Sequence, residues 1–291
     1  MAAQQNSMPF IKNLASSDRK TRTAALNSLQ TFLSSRQHTS SLSPVDVLKL
    51  WKGLFYALWM CDRPLPQQAL CTELAGLIYS MPRDAVIPWL QGFWATMSRE
   101  WTAIDVLRME KFLLLVRRVL GASFQWMKGG QGGTSWDNAC VDAILSLLRE
   151  WPFSIDGDGE DAGKDAVREG EDGDSTNQHS PFLPRLVPAG LRIHVLDIWV
   201  DEAEKVGMLK DEKYADDTFE LLRGQQILHQ ISNLVETLER HTASTAVRIR
   251  AKDSLADIRL PWNKHPKNHG DARDTDRGEG SDVDSWDGFD D

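Results

Sequence analysis

The chain has 291 residues and a formal net charge of −9, and 41% of its residues are apolar, with eleven tryptophans among them. That is enough for one large or two modest domains with a sizeable core, which excludes a wholly unstructured chain. The cysteines Cys61, Cys71 and Cys140 are too few and too irregularly spaced for a disulfide framework or a zinc site. Because no apolar run reaches a membrane span and the first residues lack a signal-peptide pattern, we expect a soluble protein in a reducing intracellular compartment.

The negative charge is concentrated in two Gly-rich segments. Residues 154–180 carry nine acidic and two basic side chains, and residues 271–291 carry the same numbers, so the rest of the chain has a net charge of +5. Segments of this composition cannot bury enough apolar surface to fold. We therefore expect a disordered acidic linker over 152–187 and a disordered acidic tail over 261–291, which flank a mildly basic folded body.

The first predicted helices lie near the N-terminus. The sequence predicts a short helix over Phe10–Leu14 and a longer one after the cap-like Ser17, with the cations Arg19, Lys20 and Arg22 at its start. Cations at a helix N-terminus oppose the helix dipole. Either these cations bind a ligand outside the helix, or they simply form a charged face that is exposed to solvent. The second explanation is the more usual one.

The most apolar helix is predicted in the stretch 43–68. Ser43 is a typical N-cap, Pro44 suits the first helical position, and Pro64 ends the pattern. Apolar residues cover most of its circumference, so it must be packed on more than one side, and its tryptophans, Trp51 and Trp59, are expected in the core. One polar stripe remains, with a further cation just beyond the helix: Lys49, Lys52, Tyr56 and Arg63.

Three further helices follow, over 64–81, 84–101 and 103–120. The first has an apolar face of Leu65, Leu70, Leu74, Leu77 and Ile78. The third has an apolar face of Val106, Met109, Leu113, Val116 and Leu120, and on a different face the cations Arg108, Lys111 and Arg118. If this second stripe aligns with Lys49, Lys52 and Arg63, the cations form one continuous patch for phosphates; taken singly, each is as well explained by solvation.

The remaining pattern is helical as well. A Gly-rich turn at 129–133 precedes a helix from Ser135 to Trp151, and beyond the linker we predict helices over 188–207, 213–223, 225–241 and 244–259. No stretch shows the period-2 alternation of strands. The sequence predicts an all-α fold of stacked antiparallel hairpins of the HEAT or armadillo type, an irregular solenoid with repeats over 1–151 and further helices over 188–260. An irregular α-helical domain is the alternative.

No catalytic constellation is evident. The sequence GGQGG at 129–133 lacks the lysine and the preceding strand of a phosphate-binding loop. His194 lies in an apolar helix, where Asp197 could orient it, but no nucleophile accompanies it. Glu100 and Asp105 are best interpreted as ion-paired residues at helix ends. We therefore predict no enzyme, no catalytic residue, no metal or other cofactor and no small-molecule substrate.

Three segments carry a resemblance to a known family. VLKLWKGLFYALWMCDRPLPQQ (47–68), FWATMSREWTAIDVLRMEKFLLLVRRVL (93–120) and AGLRIHVLDIWVDEAEKV (189–206) resemble the ribosomal RNA-processing protein 1 family. The resemblance runs from about residue 9 to 207. It implies a HEAT-like scaffold of the nucleus and nucleolus that joins precursor particles of the large ribosomal subunit. Such a scaffold contacts precursor ribosomal RNA and other assembly factors without cleaving RNA or binding membranes.

Two further alternatives concern binding. The helical repeats could be a protein–protein adaptor without direct RNA contact, whose groove receives a partner helix or an acidic peptide with Tyr56 as an anchor. In the acidic tail, Trp286 and Phe289 alternate with carboxylates, which suits a docking peptide for a basic partner, and Ser281 resembles an acid-directed phosphorylation site. Keeping the protein soluble is the simpler role of that tail.

Overall fold

The computed structural model describes most of the chain. The residues that it describes are 10–14, 16, 18–35, 42–130, 132–155, 186–210 and 218–264. The predicted linker, apart from its two ends, and the tail residues Ser281, Trp286 and Phe289 therefore lie outside the described residues.

Within these ranges the secondary structure is entirely helical, which confirms the all-α prediction. Three short 3-10 turns, over Leu77–Tyr79, Trp101–Ala103 and Pro261–Asn263, accompany the α-helices. In the described part of the chain no helix is both long and apolar enough to span a membrane. The ten α-helices are α1 (Phe10–Leu14), α2 (Arg19–Ser34), α3 (Pro44–Trp59), α4 (Pro64–Gly76), α5 (Arg83–Glu100), α6 (Val106–Trp126), α7 (Asn138–Glu150), α8 (Ala189–Lys205), α9 (Thr218–His241) and α10 (Thr245–Leu255).

The helices pack in two rows. In the first row α3 packs against α1 and α5, α5 against α7, and α7 against α9; in the second row α4 packs against α6, α6 against α8, and α8 against α10. Neighbours in the second row run in the same direction, because His194 contacts Leu113 while Arg117 contacts Asp201 one to two turns further along both helices. Consecutive helices from α3 to α8 thus alternate between rows, as in a solenoid of stacked hairpins.

Helix α3 is anchored by aromatic packing. The indole nitrogen of Trp51 donates a hydrogen bond of 2.8 Å to the carbonyl of Trp89, and the Trp51 ring lies 5.0 Å from that of Phe93. On the side facing α6, Phe55 stacks on Phe112 at 4.4 Å. Such pairs add roughly 0.5–1.5 kcal/mol each to the burial of their surface. The prediction that Trp51 is a core residue is confirmed, whereas Trp59 is only half-buried.

The α3–α5 contact depends on a glycine. A Cβ atom on Gly92 would lie 2.4 Å from Cγ1 of Val47 and 3.2 Å from Cδ1 of Trp51. Carbon atoms do not approach so closely without displacement, so the missing side chain sets the distance between the two helices.

Lys111 belongs to the core, so the prediction that it lies on a solvent-facing stripe is wrong. Only 4% of the residue is exposed, and its ammonium donates to the carbonyls of Trp59, at 2.7 Å, and Cys61, at 3.0 Å. Carbonyls at a helix C-terminus have no partner within the helix. Burial lowers the pKa of Lys111, and the Asp62 carboxylate at 4.0 Å opposes this. The long side chain of α6 therefore closes the end of α3.

Two predicted helix boundaries also differ. The helices expected over 213–223 and 225–241 are one continuous helix, α9, from residue 218 onward. Gly224 lies inside this helix and is buried beside Trp136, whose Nε1 is 3.4 Å from the position of a Cβ atom on the glycine. At α2 the N-cap is Asp18, whose carboxylate accepts from the Thr21 amide at 2.8 Å.

The residues at the two ends of the expected linker pack into the fold. Phe153, Ser154 and Val187 are buried. The guanidinium of Arg192, itself 1% exposed, donates to the Ser154 hydroxyl at 3.1 Å. The packed region therefore continues past residue 151 on one side and begins before residue 188 on the other.

The role of Gly92 predicts opposite effects for two glycine-to-alanine substitutions. Gly92→Ala should lower the free energy of unfolding by about 1–3 kcal/mol, because the new methyl group overpacks the α3–α5 contact. Gly76→Ala is the matched control: no atom lies within 4 Å of its Cβ position. There the gain in helix propensity should raise the free energy of unfolding by about 0.4–1 kcal/mol. Urea unfolding followed by circular dichroism measures both, and equal effects of the two substitutions would contradict the interpretation.

Lys111→Met should destabilise the protein by about 1–3 kcal/mol, since it leaves the Trp59 carbonyl without its donor, whereas the Cys61 carbonyl still accepts from the Gln67 amide at 2.7 Å. Arg118→Met, on the exposed surface of the same helix, should change the free energy of unfolding by no more than about 0.5 kcal/mol. The same urea titration applies. A Lys111→Met protein as stable as the native one would mean that the desolvation of the ammonium cancels its hydrogen bonds.

Candidate binding surfaces

Three of the predicted cations lie on one surface, which we name the α3 face and define as Lys49, Lys52, Tyr56, Trp59 and Arg108. Lys49 pairs with Asp46 at 3.7 Å, and Lys52 pairs with Glu100, at the end of α5, at 3.6 Å. Each of these cations already has a carboxylate partner, so the face carries little net positive charge.

Arg108 joins the charged and aromatic parts of the α3 face. It pairs with Asp105, and its guanidinium lies 4.8 Å from the centre of the Trp59 ring. Asp105 also caps α6 by accepting from the Arg108 amide at 3.1 Å. The Tyr56 ring, 38% exposed, lies beside Trp59 at 6.5 Å. An aromatic surface with paired charges at its rim is typical of protein contacts.

Arg63 and Arg118 are placed differently from these three. Arg63 is the exposed N-cap residue of α4, and in the described part of the chain it makes no ion pair within 4 Å. Arg118 is exposed on another side of α6, where it lines a groove. With Lys111 buried, the six cations do not form the one continuous patch that the sequence suggested.

The groove beside Arg118 has a volume of about 690 Å³, and we name it the α2 groove. It lies between α2 on one side and α4, α6 and α8 on the other. Small residues contribute to its walls, among them Gly76, Gly121 and Ala122. The full lining is Thr23, Leu26, Asn27, Gln30, Thr72, Glu73, Leu74, Ala75, Gly76, Leu77, Tyr79, Ser80, Arg118, Gly121, Ala122, Gln125, Glu202, Lys205 and Val206.

Two carboxylates line the α2 groove, Glu73 and Glu202, and the second of them is neutralised. Glu202, only 5% exposed, accepts from Arg117 at 3.2 Å and from Lys205 at 2.6 Å. Gly121 makes this possible, because a Cβ there would lie 2.5 Å from the Glu202 carboxylate. The Tyr79 hydroxyl donates to the Ala122 carbonyl at 3.2 Å, and burial raises its pKa to about 12. Glu202 and Tyr79 therefore add no uncompensated negative charge, whereas Glu73 is exposed and makes no ion pair within 4 Å among the described residues.

The cations around the α2 groove are less engaged than those of the α3 face. Arg19 and Lys20 line an adjoining hollow of about 460 Å³ that shares Thr23 and Asn27 with the groove. Within the described residues Arg19, Lys20 and Arg118 make no ion pair within 4 Å. These are positions at which an anionic ligand could be held. The unfavourable cations at the start of α2 were the sequence signal for this site, whereas Lys205 and the small residues gave none.

The cysteine and histidine side chains that could be reactive are buried or bound to other groups of the fold. All three cysteines are buried, and burial raises the pKa of the Cys71 thiol to about 12. Nε2 of His194 donates to the Leu113 carbonyl at 2.9 Å, and burial lowers the pKa of this histidine. Asp197 pairs with Arg250 at 3.1 Å. Among the described residues no group of three or more histidine, cysteine, aspartate or glutamate side chains could hold a metal ion.

Comparisons with known proteins agree with the residues quoted above. Residues 5–163 match the family model described as "Nucleolar protein, Nop52". The human protein named ribosomal RNA processing protein 1 homolog B is 31% identical over 209 residues, which are 71% of this chain and 23% of that protein. The mouse homolog A is 30% identical over 233 residues, 76% of this chain and 40% of that protein. The human homolog A is 37% identical over 140 residues, 47% of this chain and 30% of that protein.

The chain thus spans between about a quarter and two fifths of the length of these relatives. The family model covers more than half of the chain, and it includes the helices that build the α3 face and the α2 groove, except α8. The resemblance in the three quoted segments is therefore confirmed, and the chain belongs to the Nop52 family of nucleolar proteins, together with the proteins named ribosomal RNA processing protein 1.

Proposed function

We propose that this chain is a non-enzymatic scaffold in ribosomal RNA processing, which acts in the nucleolus during biogenesis of the large ribosomal subunit. The observation that supports it most directly is the family membership, since the family is described as nucleolar and the relatives are named for ribosomal RNA processing. The scaffold binds precursor ribosomal RNA and other assembly factors, and separate enzymes carry out the cleavage.

The arrangement of the side chains supports a structural rather than a chemical role. In the described residues the thiols are buried, His194 is held by a backbone carbonyl, and the carboxylates closest to the α3 face are paired with cations. Nucleophilic catalysis needs an activated nucleophile beside a base, and this arrangement does not provide one. Two packed rows of helices instead give a surface whose parts are held at fixed distances.

For RNA, we propose the α2 groove as the contact surface. Binding to phosphates gains free energy when cations release or replace counterions. Arg19, Lys20 and Arg118 are available for this, whereas Lys52 and Arg108 would first have to leave Glu100 and Asp105. A single RNA strand that follows the groove would be held mainly through its phosphates, so the binding would show little preference for RNA sequence.

The alternative function is a protein–protein adaptor without direct RNA contact. The α3 face favours it, because the paired charges and the Arg108–Trp59 stack resemble the rim and anchors of protein interfaces. Both functions are compatible with the family membership, so they must be separated by experiment.

Two triple variants with the same change in charge distinguish the functions. The groove variant carries Arg19→Glu, Lys20→Glu and Arg118→Glu. The face variant carries Lys49→Glu and Lys52→Glu on the α3 face, together with Arg63→Glu at the start of α4. All six residues are exposed, so both proteins should fold, which circular dichroism checks. In cells, ultraviolet crosslinking of the tagged protein followed by sequencing should show crosslinks to large-subunit precursor RNA. We expect a loss of at least about tenfold in the groove variant, because three phosphate contacts reverse sign.

A titration with single-stranded RNA at several salt concentrations provides the matching measurement. The slope of log K against log salt should decrease by about 2 in the groove variant, at roughly 0.7 per lost phosphate contact. The face variant should keep the native slope. Loss of crosslinks in the face variant instead would place RNA on the α3 face. Purification with precursor particles but without crosslinks, already for the native protein, would support the adaptor.

A further inference from the structure

An exposed apolar patch lies next to the α3 face, and we define it as Met60, Leu65, Val106 and Leu107. Their exposed fractions are 40%, 78%, 83% and 89%. Leu65 and Val106 were expected in the core from helical spacing, so their exposure corrects that prediction. Single exposed aliphatic residues are ordinary, but a cluster of four at one place marks an interaction surface.

Lys111 holds together the two segments that carry these residues, namely the turn between α3 and α4 and the start of α6. Its bonds to the carbonyls of Trp59 and Cys61 hold the first turns of α6 against the turn between α3 and α4. Leu107 lies one helical turn before Lys111 on the same face of α6, so it projects toward that turn, where Met60 lies. Leu65 is the second residue of α4, on the other side of the turn.

The electrostatics around the patch favour an acidic ligand. Helices α4 and α6 both begin here, and the N-terminus of a helix carries a partial positive charge. Arg63 lies two positions before Leu65 in the chain, and Arg108 directly follows Leu107. The two carboxylates at this place, Asp62 and Asp105, face Lys111 and Arg108 respectively. A complementary segment has apolar anchors separated by carboxylates.

We propose that the acidic tail segment around Trp286 and Phe289 of this same chain docks on the apolar patch. The sequence SDVDSWDGFDD, residues 281–291, places its two aromatic side chains between aspartates and contains no cation. Aromatic residues are frequent anchors in protein interfaces. The charges of the two surfaces are complementary, and both carry exposed apolar groups.

The tail is long enough to reach the patch. Trp286 follows Lys264, the last described residue, by 22 positions, which span up to about 70 Å when extended. In the second row only α8 separates α6, which carries part of the patch, from α10, and packed helices lie about 8–10 Å apart. The inference concerns two parts of one chain and does not require that the protein bind RNA.

Photo-crosslinking in the full chain tests the proposal. Trp286 is replaced by p-benzoylphenylalanine, the purified protein is irradiated without RNA, and crosslinked peptides are identified by mass spectrometry. We expect crosslinks within one chain to the peptides that contain Met60, Leu65 or Leu107. In the background of Leu65→Asp with Leu107→Asp, the yield of these crosslinks should fall at least about fivefold, because two exposed anchors are lost.

A matched double substitution, Leu222→Asp with Ile249→Asp, is the control. These residues are 55% and 57% exposed and lie on α9 and α10, so the charge change is the same while the patch is intact. The yield of crosslinks to the patch in this control should equal the yield in the protein without either double substitution. Crosslinks to another surface, crosslinks only between two chains, or an equal loss in both double variants would each overturn the proposal, as would the absence of any crosslink.

Discussion

The burial of α3 determines how the helices around it are arranged. This helix is apolar around most of its circumference, and each of its surfaces must be removed from water. Helices α1 and α5 cover two sides, while α4 and α6 cover the others. A fully buried large apolar side chain contributes about 1.5–3 kcal/mol, and six of the eight buried residues of α3 are of this kind, so the helix organises a large share of the core. The two rows of the fold extend outward from this centre.

Polar contacts then fix how the rows are joined. Lys111 connects α6 to the end of α3, and Arg259, beyond α10, donates to Asp201 of α8 at 2.9 Å. Its side-chain hydrogen bonds are also the main cause of the lowered pKa of Asp257. Cations used in this way stabilise the protein only because their partners lie within reach. A count of lysine and arginine in the sequence therefore overstates the charge available to a ligand.

The sequence predicted the features that local signals determine. Ser43 and Pro44 mark the start of α3, and the absence of period-2 patterns excluded a sheet in the described ranges. Prediction from the sequence failed where contacts between residues far apart in the chain determine the structure. The pairing of Lys52 depends on Glu100, 48 positions away, and the burial of Lys111 depends on the carbonyls of Trp59 and Cys61, about 50 positions away. Helical spacing identifies which residues share a face, but it does not show which faces remain uncovered, as at Leu65 and Val106.

The position of α6 connects the two proposed binding surfaces. Its first turns contribute Arg108 to the α3 face, and its later turns contribute Arg118 and Gly121 to the α2 groove. Ten residues separate the two arginines, or about 15 Å along a helix. Because α6 is held by α4 on one side and α8 on the other, this separation is set by packing and not by a flexible linker. A scaffold that holds RNA at one surface and a protein segment at the other needs such a fixed distance, since a rigid link keeps its two ligands in one relative orientation.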